Sequence, residues 1–164
     1  MLVLGLDPGT ITTGYGLLTG DSSDAELIKC GAIRAPAKHP IEHRLWHIHT
    51  EVSDLVKREK PDVVAIEKPF VVRAPRQAAL AVGEARAVIM IAAVGAGIPV
   101  FQYPPAKVKQ VVAGYGAGDK EQVCRMVEMT LAIDLSAHPL DVSDAIAVAL
   151  CHTREAALLE MSAE

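Results

Sequence analysis

The chain has 164 residues, 51% of them hydrophobic and 22% charged, the make-up of an ordinary globule folding as one domain over residues 1–164. A net charge of −4 argues against a generic nucleic-acid binder. Yet residues 57–125 carry 11 lysines and arginines against 6 acidic residues, a basic stretch that suits either a local anionic ligand or a solvated face.

The first apolar run, Leu2 to Leu6, ends at Asp7 and is bounded by Pro8-Gly9, the pattern of a buried central strand. Pro8 biases Asp7 towards extended geometry and Gly9 supplies the turn, so the carboxylate stands on a rigid base; an Asp that simply opens a turn fits the same residues. Thr12 to Leu18 reads as the antiparallel partner and Ala25 to Ala35 as a third strand. Pro40 opens a helix with Ile41, Leu45, Ile48, Val52 and Leu55 on one stripe, ended by Pro61. Asp62 to Glu67 is a short buried strand, and Lys68 to Pro75 a loop. Arg76 to Ala96 reads as a helix apolar nearly all round, so a sheet covers one face and a second subunit is expected on another. Pro99 to Tyr103 is a fifth strand, and Asp119 and Gln122 form a capping box for a helix through Ala132. Asp141 opens a last helix towards Leu159; residues 104–118 receive no element.

Three hairpin-connected strands followed by alternating helices and strands make an α/β fold with a five-stranded mixed sheet and helices on both faces. Right-handed crossovers return the fourth strand beside the first, bringing Glu67 near Asp7. Three isolated cysteines, Cys30, Cys124 and Cys151, indicate neither a disulfide framework nor a zinc knuckle. No signal segment precedes the first strand, and Ala85 to Ile98 is too short and Gly-interrupted to span a bilayer, so a cytoplasmic protein without membrane contact is expected.

Four carboxylates stand out: Asp7, Glu67, and the pair Asp141 and Asp144, spaced i, i+3 on one helical face. That pair is also what a capped helix start looks like. Gathered together, the four would repel unless protonated or bridged by cations, and an all-oxygen set suits Mg²⁺ or Mn²⁺. Two such ions would serve in-line phosphodiester hydrolysis. His39-Pro40-Ile41-Glu42-His43 formally matches a zinc motif, but Pro40 puts His39 outside the helix. His138 either reaches the carboxylates or merely precedes Pro139 in a loop.

Gly5-Leu6-Asp7-Pro8-Gly9-Thr10 with Thr13-Gly14-Tyr15-Gly16, then Ala65-Ile66-Glu67 followed by Phe70, Val82-Gly83-Glu84-Ala85-Arg86, Pro99-Val100-Phe101 with Val108-Lys109-Gln110, and Asp141-Val142-Ser143-Asp144-Ala145 appear in that order. Together they resemble the RuvC Holliday-junction resolvases of the ribonuclease H-like superfamily, essentially end to end. The resemblance implies a homodimer that cuts two strands of a four-way DNA junction symmetrically, leaving 5′-phosphate and 3′-hydroxyl ends, beside the branch-migration proteins RuvA and RuvB. It implies Asp7, Glu67, Asp141 and Asp144 as ligands of two Mg²⁺ ions, with Mn²⁺ able to substitute. It further implies that Lys109 and Lys120 face DNA and that Phe70 stacks on bases; Arg73 and Arg76, flanking Phe70, suit phosphate contact. Two rivals remain: a non-catalytic junction-binding protein on the same fold, and a phosphotransferase of the actin and sugar-kinase type. The latter would need a second, similar domain, and the sequence carries no internal repeat.

Overall fold

The computed structural model describes residues 1–21, 23–68, 76–114 and 119–161. The three N-terminal strands, β1 (Leu2–Asp7), β2 (Thr12–Thr19) and β3 (Glu26–Arg34), form an antiparallel meander. After α1 (Ile41–Glu59), β4 (Val63–Glu67) lies parallel to β1. After α2 (Arg76–Gly95), β5 (Val100–Tyr103) lies parallel to β4, completing the order β3-β2-β1-β4-β5. The chain continues through α3 (Pro105–Ala113), α4 (Lys120–Leu131) and α5 (Leu140–Met161).

Strand alternation sorts the core into two layers. Leu4, Leu6, Leu17, Val64 and Ile66 point to one face, where Ile48, Val52 and Val56 of α1 and Ala85, Ile89 and Ala93 of α2 cover them. Val3, Leu18, Val63 and Ala65 point to the other, under Val142, Ile146 and Leu150 of α5, with α3 and α4 alongside. The sheet with helices on both faces is the architecture read from the sequence.

Three expectations need correction. Residues 105–113, where the sequence pattern signals no element, form α3: Pro104 precedes the helix, Pro105 occupies its first turn, where no intrahelical N–H is needed, and Gly114 closes it at φ 80°. The last helix begins one residue earlier than expected. Val142 donates its N–H to the Pro139 carbonyl at 3.0 Å, so Asp141 lies inside the first turn instead of capping it. The apolar helix α2 is 20 residues long and contains an 18-residue window of mean hydropathy 1.7, long and apolar enough by those measures to cross a bilayer; its stripe of Ala85, Ile89, Ala92 and Ala93 is buried in the protein core. Its opposite side leaves Leu80, Ile91 and Val94 more than 60% exposed.

Candidate active site

The register of β1 and β4 aligns Leu6 with Ile66, which sets Asp7 and Glu67 next to each other at the ends of two central strands. Asp7 shares the pleat parity of Val3 and Gly5, and Glu67 that of Val63 and Ala65, so both carboxylates belong to the face covered by α5. The helix reaches them because the strands opposite it carry no side chain at Gly5, Gly14 and Gly16. A Cβ on Gly5 would stand 2.0 Å from the Ala145 carbonyl oxygen, one on Gly14 would stand 1.9 Å from that of Asp141, and one on Gly16 would stand 2.5 Å from Ile146 Cγ1. Three glycines on one face thus let the first turns of α5 lie against β1 and β2, and bring Asp141 and Asp144 to the strand ends.

A cleft of about 140 Å³ opens there, lined by Asp7, Glu67 and Asp144 and closed by Lys109 of α3 and Lys120 of α4. Lys120 Nζ lies 2.5 Å from Asp144 Oδ2. Asp119 places that lysine at the first position of α4. Its side chain accepts from Gln122 N–H at 2.8 Å and its own N–H donates to Gln122 Oε1 at 3.1 Å, the reciprocal cap read from the sequence.

The electrostatics record crowded negative charge. Burial, followed by the charge of Asp144, raises Asp7 to a pKa of about 8; Glu67 and Asp141 add to the rise and Lys120 opposes it. The same first two causes raise Glu67 to about 7, against the pull of Lys120 and Lys109. Lys120 is itself lowered by burial, but the hydrogen bond and charge of Asp144, with Asp7 and Asp141 behind it, outweigh this and raise it overall.

These residues fit a divalent cation by donor chemistry. The available donors are carboxylate oxygens, which favour hard ions such as Mg²⁺ and Mn²⁺, and positive charge would offset both the burial and the neighbouring negative charge that raise Asp7 and Glu67. Among the described residues no three His, Cys, Asp or Glu side chains are grouped closely enough to share one ion, and Asp144 is turned onto Lys120.

Of the other residues singled out, Arg76 is exposed at the start of α2, while Phe70 and Arg73 lie outside the described residues. His138 Nε2 stands 3.9 Å from Cys30 Sγ, in the loop before α5. His39 precedes Pro40 and lies outside α1. The glycines that dock α5 were missed as site-building residues, although Gly14 and Gly16, alternating in a strand otherwise rich in larger residues, were a legible sign of close backbone approach.

The family described as crossover junction endodeoxyribonuclease RuvC matches residues 3–152. The chain is 43% identical to the proteins of that name from Syntrophomonas wolfei, over 99% of this chain and 96% of that one, and from Pelotomaculum thermopropionicum, over 93% and 92%. Among solved structures it is similar to Thermus thermophilus RuvC bound to a Holliday junction substrate, with 34% identity, a TM-score of 0.88 and 96% of each chain covered. The yeast mitochondrial Holliday junction resolvase, at 13% identity and a TM-score of 0.66, shares the fold. The match takes in all five strands and both ends of the polypeptide that supply carboxylates to the cleft: this chain belongs to the RuvC family of crossover junction endodeoxyribonucleases.

Proposed function

We propose that the protein is a structure-selective endonuclease that resolves four-way DNA junctions in recombination and repair, hydrolysing one phosphodiester in each of two strands to leave 5′-phosphate and 3′-hydroxyl ends. The observation that carries this is the convergence of Asp7, Glu67 and Asp144 with Lys109 and Lys120 in one cleft. The protein works in the cytoplasm beside RuvA and RuvB. A synthetic four-way junction with Mg²⁺ tests the reading: paired symmetric nicks that yield two linear duplexes are expected, with a linear duplex of the same sequence left intact. Binding without cutting would leave only the junction-binding alternative.

Asp7, Glu67, Asp141 and Asp144 would hold two divalent ions, Asp144 after leaving the Lys120 ammonium. Such ions, when bound, activate water for attack and neutralise charge on the leaving oxygen. The buried floor of the cleft strengthens every interaction made there, and Lys109 and Lys120 bind flanking phosphates. Because Asp7 and Glu67 have folded-state pKa values above their ordinary 3.8 and 4.5, their contribution to stability is full below those ordinary values and is lost as pH rises through about 7 and 8. In a chelator the melting temperature should therefore fall between pH 6 and pH 9, and Mg²⁺ should restore more at the higher pH. At a hundredfold excess over Kd the gain is about 2.7 kcal/mol, a rise of roughly 5 to 10 °C. Equal effects of Mg²⁺ at both pH values would contradict the ligand assignment.

Each lysine that neutralises one phosphate adds about 0.9 to the slope of log K against log salt. Lys109→Ala and Lys120→Ala should each lower the slope by about that amount on junction DNA, measured by titration across a salt series. An unchanged slope and affinity would make them solvated surface charges.

Two symmetric cuts require two centres, and Leu80, Ile91 and Val94 leave α2 an exposed apolar face on which a second copy of the chain would sit. Analytical ultracentrifugation should show a two-subunit species, and Ile91→Glu should shift it to monomer. A wild-type monomer that still makes paired nicks at nanomolar concentration would contradict the dimer.

A further inference from the structure

The turn that follows Asp7 is held far more firmly than a surface hairpin needs. Thr13, fully buried, donates its hydroxyl to the Gly9 carbonyl at 2.9 Å and lies 3.4 Å from the Gly9 N–H. Ala35 N–H donates to the Ile11 carbonyl at 2.9 Å. From the first turn of α1, Arg44 reaches across and donates one guanidinium N–H group to both the Thr10 carbonyl, at 3.4 Å, and Thr10 Oγ1, at 3.3 Å.

The last contact has a chemical consequence. A guanidinium has donors only, so Thr10 Oγ1 is the acceptor and its own hydroxyl proton is left to be given elsewhere. Among the described residues no hydrogen bond donated by that hydroxyl is found. Arg44 is also placed at a cost to folding: its Nε is buried and, among the described residues, has no partner. An arginine seated with an unsatisfied N–H against the turn carrying Asp7 is poorly explained by fold stability alone. It is well explained by the need to aim one hydroxyl three residues beyond a carboxylate of the cleft.

We infer that Thr10 contacts the substrate, donating its hydroxyl to a non-bridging oxygen of a phosphate adjoining the one that is cut, and that Arg44 is the positioning residue that fixes this donor. A phosphodiester suits the role because its non-bridging oxygens accept and never donate. The inference rests on the reading of the chain as a junction-cutting nuclease and adds to it a residue that sets the cleaved strand in register.

The experiment uses the full-length protein and four-way junctions carrying a single methylphosphonate at each phosphate around the cut in turn. Thr10→Val, which keeps shape and loses the hydroxyl, should lower kcat/KM about ten- to a hundredfold on the unmodified junction, whereas Thr10→Ser should stay within about threefold of wild type. At one methylphosphonate position the difference between wild type and Thr10→Val should collapse, and at the others it should persist. Arg44→Met should show a similar loss, and combining it with Thr10→Val should cost nothing further. Should Arg44→Met fail to fold, the comparison of valine and serine at position 10 decides the question unaided. A Thr10→Val protein that cuts like wild type, or whose deficit is the same at every methylphosphonate position, overturns the inference. Wild-type protein that does not cut the unmodified junction in Mg²⁺ overturns the nuclease reading and this inference with it; normal wild-type cutting beside a silent Thr10→Val overturns this inference alone.

Discussion

Asp7→Asn is expected to bind four-way junctions with near-normal affinity and to cut them about a thousandfold more slowly, or less. The substitution keeps the shape of a side chain that sits where β1 ends, beside Glu67, so neither the strand nor the turn after it should move. It removes one anionic oxygen donor from a site where burial, followed by the charge of Asp144, already raises Asp7 to a pKa of about 8. Charge stabilisation by a bound divalent ion is worth several kcal/mol, and each 1.36 kcal/mol is tenfold in rate. Binding should survive because the proposed phosphate-binding residues, Lys109 and Lys120, stand on different helices. Gel-shift titration beside single-turnover cleavage separates the two effects. Near-normal cutting would refute the assignment, and Glu67→Gln and Asp144→Asn should behave alike.

Gly14→Ala should do comparable damage from a residue that carries no chemistry. Its Cβ would fall 1.9 Å from the carbonyl oxygen of Asp141, 2.3 Å from its carbonyl carbon and 2.8 Å from Val142 N, all backbone atoms that no side-chain rotation can move. The first turn of α5 must therefore lift from the sheet, and it carries Asp141 and Asp144 with it. Overpacking of this kind costs about 3 kcal/mol, and a displacement near 1 Å at a catalytic group costs about a hundredfold in rate. Cleavage measured well below the melting temperature should be reduced to that extent, with circular dichroism still native. Wild-type activity in this variant would mean that the position of α5 does not matter to the chemistry.

What could be read in advance divides along physical lines. Local signals survived the fold: the apolar run ending at Asp7, the stripe from Ile41 to Leu55 and the Asp119–Gln122 cap each depend on neighbours a few residues away. Topology was legible too, since one handedness rule placed β4 beside β1 and so Glu67 beside Asp7. The helix α3 was not, because Pro104 and Pro105 look like loop residues until a first helical turn is seen to accept proline. The Lys120–Asp144 pair joins residues 24 apart on two helices, and nothing local to either could announce it. Gly14 and Gly16, alternating in β2, signal a close backbone approach, but that α5 is the element approaching, and that Gly5 shares the requirement, belongs to a tertiary contact.

On the proposed mechanism the strand-end carboxylates and the start of α5 form one divalent-ion centre. Anomalous scattering from crystals equilibrated with Mn²⁺ tests it most directly. A peak among Asp7, Glu67 and Asp144, with the Lys120 ammonium displaced from Asp144, is the expected result; saturating Mn²⁺ that leaves no peak there, with the Lys120–Asp144 ion pair intact, would contradict it.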